Sequence, residues 1–379
     1  MLNLLKHFNS EKKDELCFFS YHGVNDPRWT PCRYDSLVEE GFQKNVIAFR
    51  AITLVSRSVA SIPMTVKNPD TEEIDDELTA LLNRPNRSQT RATFFENVVN
   101  YLLISGNAFV YFDNIAELRC LRTDRMQIIP NKSKTNVDSY VYSVDSSSFS
   151  INRENVLHLK FLNPLNDWYG FSPLQIAFQA IDQYNAMSSH NLALLQNGGR
   201  PSGCLMVKNG TENLTQEQRE QLRSDIKNSY AGTGNAGKIM VLEGSFEWKE
   251  MGFSPRDLDF DSGKNTTARE ISEAFGVPPV LLGILGDATF TNYREARLHF
   301  WEDTILPLAE FLRLEFSCWL SQKFGRKIEI SLDLDAIPAL VERRESIWKR
   351  IANADFLTLN EKRELIGYPP IKEVTKEET

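Results

Sequence analysis

Residues 172–199 constrain the fold of this chain most, because their pattern predicts a long helix that carries almost no charge. Ser172 and Pro173 are the residue types of an N-cap and a first helical position. The helix should run to Asn197, with one acid, Asp182, and no lysine or arginine. A solvated helix usually carries more charge, so we expect neighbouring protein to cover this one. Its apolar residues recur at helical spacing: Leu174, Ala177, Ile181, Tyr184, Leu192 and Leu195.

A second helix is predicted to open at Ser254-Pro255 and to run to Phe275. Its charged residues are of both signs: Asp257, Asp259, Asp261, Glu270 and Glu273 against Arg256, Lys264 and Arg269. Between the two helices we expect strands at 203–207 and 238–242 and a polar helix near 216–229. A neutral or weakly acidic wall made of such helices suits a duct along which a polyanion slides without sticking.

The rest of the chain reads as a mixture of helices and short strands, so the fold class is α+β. An apolar face of Val46, Phe49, Ile52, Val55 and Val59 predicts a helix over residues 45–62. Another helix is predicted over 90–105, with Gly106 at its C′ position. A long helix should cover 293–324, with a kink at Pro307. Strands are predicted at 108–112, 126–129, 140–144 and 156–161.

The overall balance of charge and cysteine narrows the class of protein. The formal net charge is −8, whereas proteins that grip nucleic acid by neutralising phosphates are usually basic. The five cysteines are scattered without a CxxC pair, and the histidines lack metal-ligand spacing, so we expect no disulfide framework, metal or cofactor. No apolar run approaches bilayer length, and we expect no membrane contact.

One motif points to a different function. Residues 232–238, GTGNAGK, match the first seven positions of a phosphate-binding P-loop. The eighth position requires a hydroxyl for magnesium, but Ile239 stands there. A P-loop also opens a helix, whereas the apolar residues after Lys238 indicate a strand. A turn between a helix and a strand is the better interpretation, and a nucleotide hydrolase that uses Lys238 remains the alternative.

Five sequence blocks together resemble the HK97-type phage portal proteins, a family that includes the portals of gene transfer agents. They occur in the family's order and cover about residues 40–370: Tyr169–Leu174 (YGFSPL), Leu195–Gly203 (LQNGGRPSG), Asn235–Gly244 (NAGKIMVLEG), Ile271–Gly283 (ISEAFGVPPVLLG) and Leu357–Pro370 (LTLNEKRELIGYPP). The P-loop-like residues fall inside the third block, so the resemblance accounts for them without a nucleotide.

The resemblance implies a portal fold with an α/β wing, a two-helix stem, a small α/β clip and a reduced helical crown. The parts it implies are an N-terminal arm (1–40), the first part of the wing (41–172), stem helix 1 (173–197), the clip (198–253), stem helix 2 (254–276), a tunnel loop (277–293), the rest of the wing with the long helix and a strand (294–350), and a short crown with the C-terminal tail (351–379).

The function implied is that of a non-enzymatic subunit in a homo-oligomeric ring, with twelve copies expected, at one capsid vertex of a virion. Double-stranded DNA would be packaged and ejected through the ring. Large terminase, the major capsid protein and a head-completion adaptor would bind it, and assembly would take place in the bacterial cytoplasm. A sequence-specific DNA-binding module is a further alternative, although no basic recognition face supports it.

Two sets of residues are expected to face the channel. The tunnel loop would narrow the duct through Leu285, Gly286, Asp287, Thr289, Thr291 and Asn292. The stem would contribute Gln179, Asp182, Gln183, Lys264 and Arg269. From composition alone, the loop is an ordinary helix–helix connection with two flexible glycines, Gly283 and Gly286. The resemblance favours the channel role.

Overall fold

The computed structural model describes ten helices and ten strands over part of the 379-residue chain. The described residues are 29–71, 73–113, 116–196, 203–207, 215–218, 220–221, 224, 246–250, 259–284, 290–366 and 371. The helices are α1 Tyr34–Ser36, α2 Val46–Ser61, α3 Asp76–Asn83, α4 Arg91–Ser105, α5 Pro173–Gln196, α6 Phe260–Ala274, α7 Phe290–His299, α8 Leu306–Phe324, α9 Val341–Ala352 and α10 Leu359–Leu365. The strands are β1 Met64–Lys67, β2 Asn107–Phe112, β3 Leu118–Leu121, β4 Met126–Pro130, β5 Val137–Val144, β6 Ser147–Asn152, β7 Val156–Lys160, β8 Gly203–Val207, β9 Phe246–Glu250 and β10 Glu329–Leu332.

The chain divides into two compact units that alternate along the sequence. The first contains residues up to 53, 102–107 and 160–286, and the second contains 54–101, 108–159 and 287–379. In the first unit, α5 packs against α6, and β8 pairs antiparallel with β9. The second unit holds the antiparallel pair β1–β10 and two three-stranded sheets, ordered β3-β2-β7 and β4-β5-β6.

Aromatic side chains of α4 and α8 form the centre of the second unit. Phe95 lies 5.4 Å from both Phe94 and Phe316, measured between ring centroids, and all three side chains are almost fully buried. Burying each ring stabilises the fold by about 1.5–3 kcal/mol. The helix α4 ends as predicted, because Gly106 adopts a left-handed conformation with φ of 74°.

The predicted inward face of α2 is correct in its second half and wrong in its first half. Ile52, Val55 and Val59 are fully buried. Val46 and Phe49 are 69% and 45% exposed, because the first turns of the helix bury a different face, which carries Ala48 and Ala51. Periodicity located the helix, but it did not reveal how far the neighbouring elements extend along it.

The predicted long helix over 293–324 is two helices joined by a π-helical turn, Phe300–Ile305. Pro307 follows just after this turn, and because the helix is continuous there, its missing N–H interrupts the ladder of helical hydrogen bonds. The wider turn therefore takes up the irregularity that the sequence places at the proline. Trp301, Ile305, Leu312 and Trp319 of the predicted stripe are buried, whereas Leu298 and Leu308 are half-buried.

The predicted strands at 108–112, 126–129, 140–144 and 156–161 correspond to β2, β4, β5 and β7. The strand predicted at 203–207 corresponds to β8, whereas β1, β3, β6, β9 and β10 were given no position by the sequence patterns, because they are only four to six residues long. The strand predicted at 238–242 and the opening of the second helix at Ser254 lie outside the described residues. None of the helices in the part of the chain that the structure describes is long and apolar enough to cross a bilayer.

Candidate functional site

The helices α5 and α6 run antiparallel and are joined by close contacts along their length. A Cβ on Gly263 would lie 3.0 Å from Sδ of Met187, so glycine permits the approach of the two helices. Towards one end, the rings of His190 and Phe260 lie 5.0 Å apart. The ammonium of Lys264 stands 5.3 Å from the Tyr184 ring in a cation–π contact.

Capping residues set the start of α5. The Ser172 hydroxyl accepts from the amide of Gln175 at 3.1 Å, and the Gln175 side chain accepts from the amide of Ser172 at 2.9 Å. This reciprocal pair is a capping box, and it satisfies two amides that the first helical turn leaves without partners. Ser172 is fully buried, so these bonds are shielded from water.

Two glycines let the chain before α5 pass directly against the end of α4. A Cβ on Gly170 would stand 2.1 Å from the carbonyl oxygen of Gly106, a distance no side chain tolerates. The amide of Gly170 donates to Oδ1 of buried Asn107 at 2.8 Å. The glycine of the YGFSPL block is therefore required by a contact between two backbones.

A polar network holds the segment around α1 onto α5. Asn185 is buried, and its Nδ2 donates to the backbone oxygen of Glu40 at 3.0 Å. Its Oδ1 accepts from Nδ2 of Asn45 at 3.2 Å, and Asn45 is only 1% exposed. A Cβ on Gly41 would lie 3.0 Å from the Leu174 side chain. Residues 29–45, most of which fall in the predicted N-terminal arm, thus pack on α5.

The segment that packs on α5 had no sequence period because it is a π-helical turn, Leu37–Gln43, that continues α1. Its irregular spacing hides the apolar face that a regular helix would show. Asn185 was also missed, although one signal was present: it follows Leu174, Ala177 and Ile181 at helical spacing on their apolar face.

The five predicted stem residues have different surroundings. Gln179 and Gln183 are exposed on α5, and Arg269 is exposed on α6. Asp182 accepts a hydrogen bond from the amide of Thr30 at 2.8 Å, so it anchors the N-terminal segment. Lys264 is half-buried against Tyr184.

The exposed surface of α5 is free of formally charged side chains. It consists of Ile176, Gln179, Gln183, Ala186, Ser189, His190, Leu192, Ala193, Leu195 and Gln196. The exposed surface of α6 carries both signs, with Asp261, Glu270 and Glu273 beside Arg269. The helix pair therefore offers one neutral wall and one mixed wall, neither with a cluster of positive charge that would hold phosphates firmly.

The segment after α6 turns back through two left-handed glycines, Gly276 and Gly283, with φ of 64° and 76°. A single 3₁₀ turn, Pro279–Leu282, separates them. Ile284 is buried, and α7 begins at Phe290. Leu285, Gly286, Asp287 and Thr289 lie outside the described residues, whereas Thr291 and Asn292 belong to the first turn of α7. The last residues of the predicted tunnel loop, 277–293, therefore overlap the start of α7.

The P-loop-like residues 232–238 also lie outside the described part of the chain. Over the residues that are described, no group of three or more histidine, cysteine, aspartate or glutamate side chains is placed to hold a metal ion.

Comparisons with known proteins agree over most of the chain. The family described as phage portal protein matches residues 47–367. An uncharacterized protein of Rickettsia bellii is 40% identical, over 88% of this chain and 89% of its own. The portal protein of Enterobacteria phage HK97 is 25% identical, over 89% and 81%. A solved structure of the neck of a native gene transfer agent (GTA) particle, computed with C12 symmetry, contains a chain that is 39% identical, with a TM-score of 0.69 and coverage of 91% and 96%.

Proposed function

Because this chain belongs to the phage portal protein family, we propose that it assembles into a closed ring whose central channel conducts double-stranded DNA. Its role is that of a portal subunit. One observation carries the ring: a 39% identical chain, in a particle neck that was computed with C12 symmetry, matches 91% of this chain and 96% of its own length. Twelve copies is the number we propose, at the neck of a virion.

We assign α5 and α6 to the wall of the channel. The wall of a DNA channel should attract phosphates weakly or not at all, since each firm phosphate contact slows the movement of DNA through the channel. The charge-free exposed surface of α5 meets that need, with Gln179 and Gln183 facing the lumen. Residues 198–253 form the clip at one end of the helix pair, and residues 294–350 complete the wing that begins at 41–172. Residues 351–379 form a reduced crown.

The connection between α6 and α7 is assigned to the constriction of the channel. Gly283 has nothing within 4 Å of the position where a Cβ would stand, so the chain there is not wedged against neighbouring atoms. Asp287, Thr289, Thr291 and Asn292 would face DNA without a strong ionic grip. The segment can then follow the turning surface of the duplex while α6 and α7 stay packed.

The ring would be a docking platform rather than an enzyme. Large terminase, the major capsid protein and a head-completion adaptor are its proposed partners, with assembly in the bacterial cytoplasm before the particle is complete. The portal family is structural. Purified protein should hydrolyse no ATP in the absence of terminase. A turnover that Lys238→Ala abolishes would instead establish the alternative nucleotide hydrolase.

Negative-stain images of the purified full-length chain test the ring. We expect class averages with twelve-fold or closely related rotational symmetry and an open centre. A particle that stays monomeric or dimeric, alone and after mixing with the major capsid protein, would refute the proposal. A nanomolar, salt-dependent affinity for one short duplex would favour the sequence-specific DNA-binding alternative.

A loop exchange tests the constriction. Replacing Gly286–Thr289 with four serines should leave rings intact and reduce the nuclease-protected DNA retained in particles. The matched control replaces Lys132–Thr135, an exposed turn of the same length between β4 and β5, and should leave retained DNA unchanged. If the Gly286–Thr289 variant fails to form rings while its helix content is preserved, the connection is structural and the assignment is wrong.

A further inference from the structure

The strand β6 is an open sheet edge in the second unit. Among the residues that the structure describes, β6 pairs with β5 alone in the order β4-β5-β6, so every second residue of β6 directs its N–H and C=O away from the sheet. Five of its six residues are exposed, namely Ser147, Ser148, Phe149, Ser150 and Asn152. An uncovered edge of this kind is a template for another strand.

The other edges of the two three-stranded sheets carry features that block pairing. The strand β4 ends at Pro130, where its register with β5 shifts. The strand β3 carries Arg119, and β7 ends in Lys160. By contrast, β6 contains neither proline nor a charged residue. Natural edges without such features are usually covered by a partner.

A cavity of about 500 Å³ lies beside β6 and adds a side-chain pocket to the open edge. Both sheets line it, with polar side chains that include Arg119 and with five apolar or aromatic side chains: Tyr111, Leu121, Tyr142, Phe149 and Ile151. Phe149, opposite Tyr142 in the β5–β6 register, is 57% exposed. An incoming strand could therefore pair its backbone with β6 and place an aromatic side chain against Phe149 and Tyr142.

We propose that the segment Leu16–Tyr21 of a second copy of this chain adds to β6 as a fourth strand of the sheet. The segment reads LCFFSY, a run of aromatic and apolar residues between the charged EKKDE of 11–15 and Gly23. That composition is typical of a strand. Alternate residues would direct Phe18 or Phe19 into the cavity. The proposal rests on the ring of the preceding section.

The reach of the arm and the symmetry of a ring favour exchange between copies. The amide of Thr30 is held by Asp182, and the eight residues between Tyr21 and that anchor give the arm an extended reach of roughly 30 Å. In a closed ring every copy has one arm and one β6 edge. If each arm pairs with β6 of the next copy, the outward-facing N–H and C=O groups of every β6 strand gain hydrogen-bond partners. The exchange would tie each subunit to its neighbour by backbone hydrogen bonds.

Cysteine cross-linking tests the exchange with a residue that the chain already has. Cys17 lies in the segment, so the test keeps it as the only native cysteine and introduces Ser148→Cys, Ser150→Cys or Asn152→Cys on β6. A disulfide forms only when the two Cα atoms come within about 7 Å. Mild oxidation of assembled rings should give a ladder of covalently joined subunits for at least one of the three variants.

The controls separate the exchange from chance collision and from the ring itself. Ser133→Cys, on the exposed β4–β5 turn, and each β6 variant combined with Cys17→Ser should give no ladder. Rings seen in images of the same sample without a ladder, a cross-link confined within one chain, or an equal ladder from Ser133→Cys would overturn the exchange while leaving the ring standing. Failure of the unsubstituted chain to form rings, alone and after mixing with the major capsid protein, would refute both.

Hydrogen exchange gives a second readout that needs no introduced cysteine. The amides of residues 147–152 that point away from β5 should exchange at least about tenfold more slowly in rings than in the unassembled chain. The double variant Phe18→Ser/Phe19→Ser should remove that protection, whereas Leu4→Ser/Leu5→Ser, which changes the same arm outside the segment, should preserve it. Equal exchange in rings and unassembled chain would overturn the proposal.

Discussion

Replacing Asn185 with alanine should destabilise the first unit by about 2–4 kcal/mol. The substitution removes the bond to the Glu40 carbonyl at 3.0 Å and the bond from Asn45 at 3.2 Å. Two polar groups then lose their partner, one of them on Asn45, which is almost fully buried. Each buried group without a partner costs about 1–3 kcal/mol, and partial entry of water lowers the sum.

The assay is thermal and urea unfolding of the full-length chain, followed by circular dichroism. A loss of this size should lower the midpoint of the transition that melts α5 by roughly 5–10 °C. Gln183→Ala, on the exposed surface of the same helix, is the matched control and should stay within about 0.5 kcal/mol of the wild type.

A double-mutant cycle with Asn45→Ala separates the network from simple loss of volume. If the two amides act together, the double variant should lose less stability than the sum of the single variants, by about 1 kcal/mol or more. Additive losses, or an Asn185→Ala variant as stable as Gln183→Ala, would refute the view that this network holds the N-terminal segment on α5.

Three further predictions follow from contacts elsewhere in the chain. Gly170→Ala should lower the free energy of unfolding by more than about 3 kcal/mol, because its Cβ would meet the Gly106 oxygen at 2.1 Å. Gly325→Ala, which is strained only by its φ of 64°, should lower it by about 1 kcal/mol, and soluble yield and urea midpoints measure both. Burial raises the pKa of the Cys120 thiol, which leaves little of the reactive thiolate at pH 8. Alkylation followed by mass spectrometry should therefore modify Cys120 at least about tenfold more slowly than exposed Cys318, and equal rates would contradict this. The hydrogen bonds from Arg313 lower the pKa of Glu310, so this ion pair stabilises the fold at neutral pH and stops doing so as the pH falls through that lowered pKa. Glu310→Gln should therefore reduce the free energy of unfolding by only about 0.5 kcal/mol at pH 7, and urea unfolding in acid should show no difference from the wild type.

Tertiary structure revealed contacts that no local pattern contains. Asn185 finds Asn45 across 140 positions of sequence, and Asp182 finds Thr30 across 152. The side chain of a helical asparagine gives no sign of its partner, because the partner is chosen by how separate elements pack. For the same reason, the exposed first turns of α2 and the pairing of serine-rich β6 with β5 became visible only in the folded chain.

Local chemistry, by contrast, was sufficient for much of the fold and for the family. Helix ends can be predicted from local sequence where backbone preferences act within one turn. Ser172 with Pro173 marks the start of α5 in this way, and Gly106 marks the end of α4. Five ordered blocks carry the portal resemblance, and Gly170 in the first of them is explained by its contact with Gly106. Sequence alone therefore located most of the helices and indicated the family. Packing decided which faces those helices bury and which buried polar groups join them, because burial depends on elements that are distant in sequence.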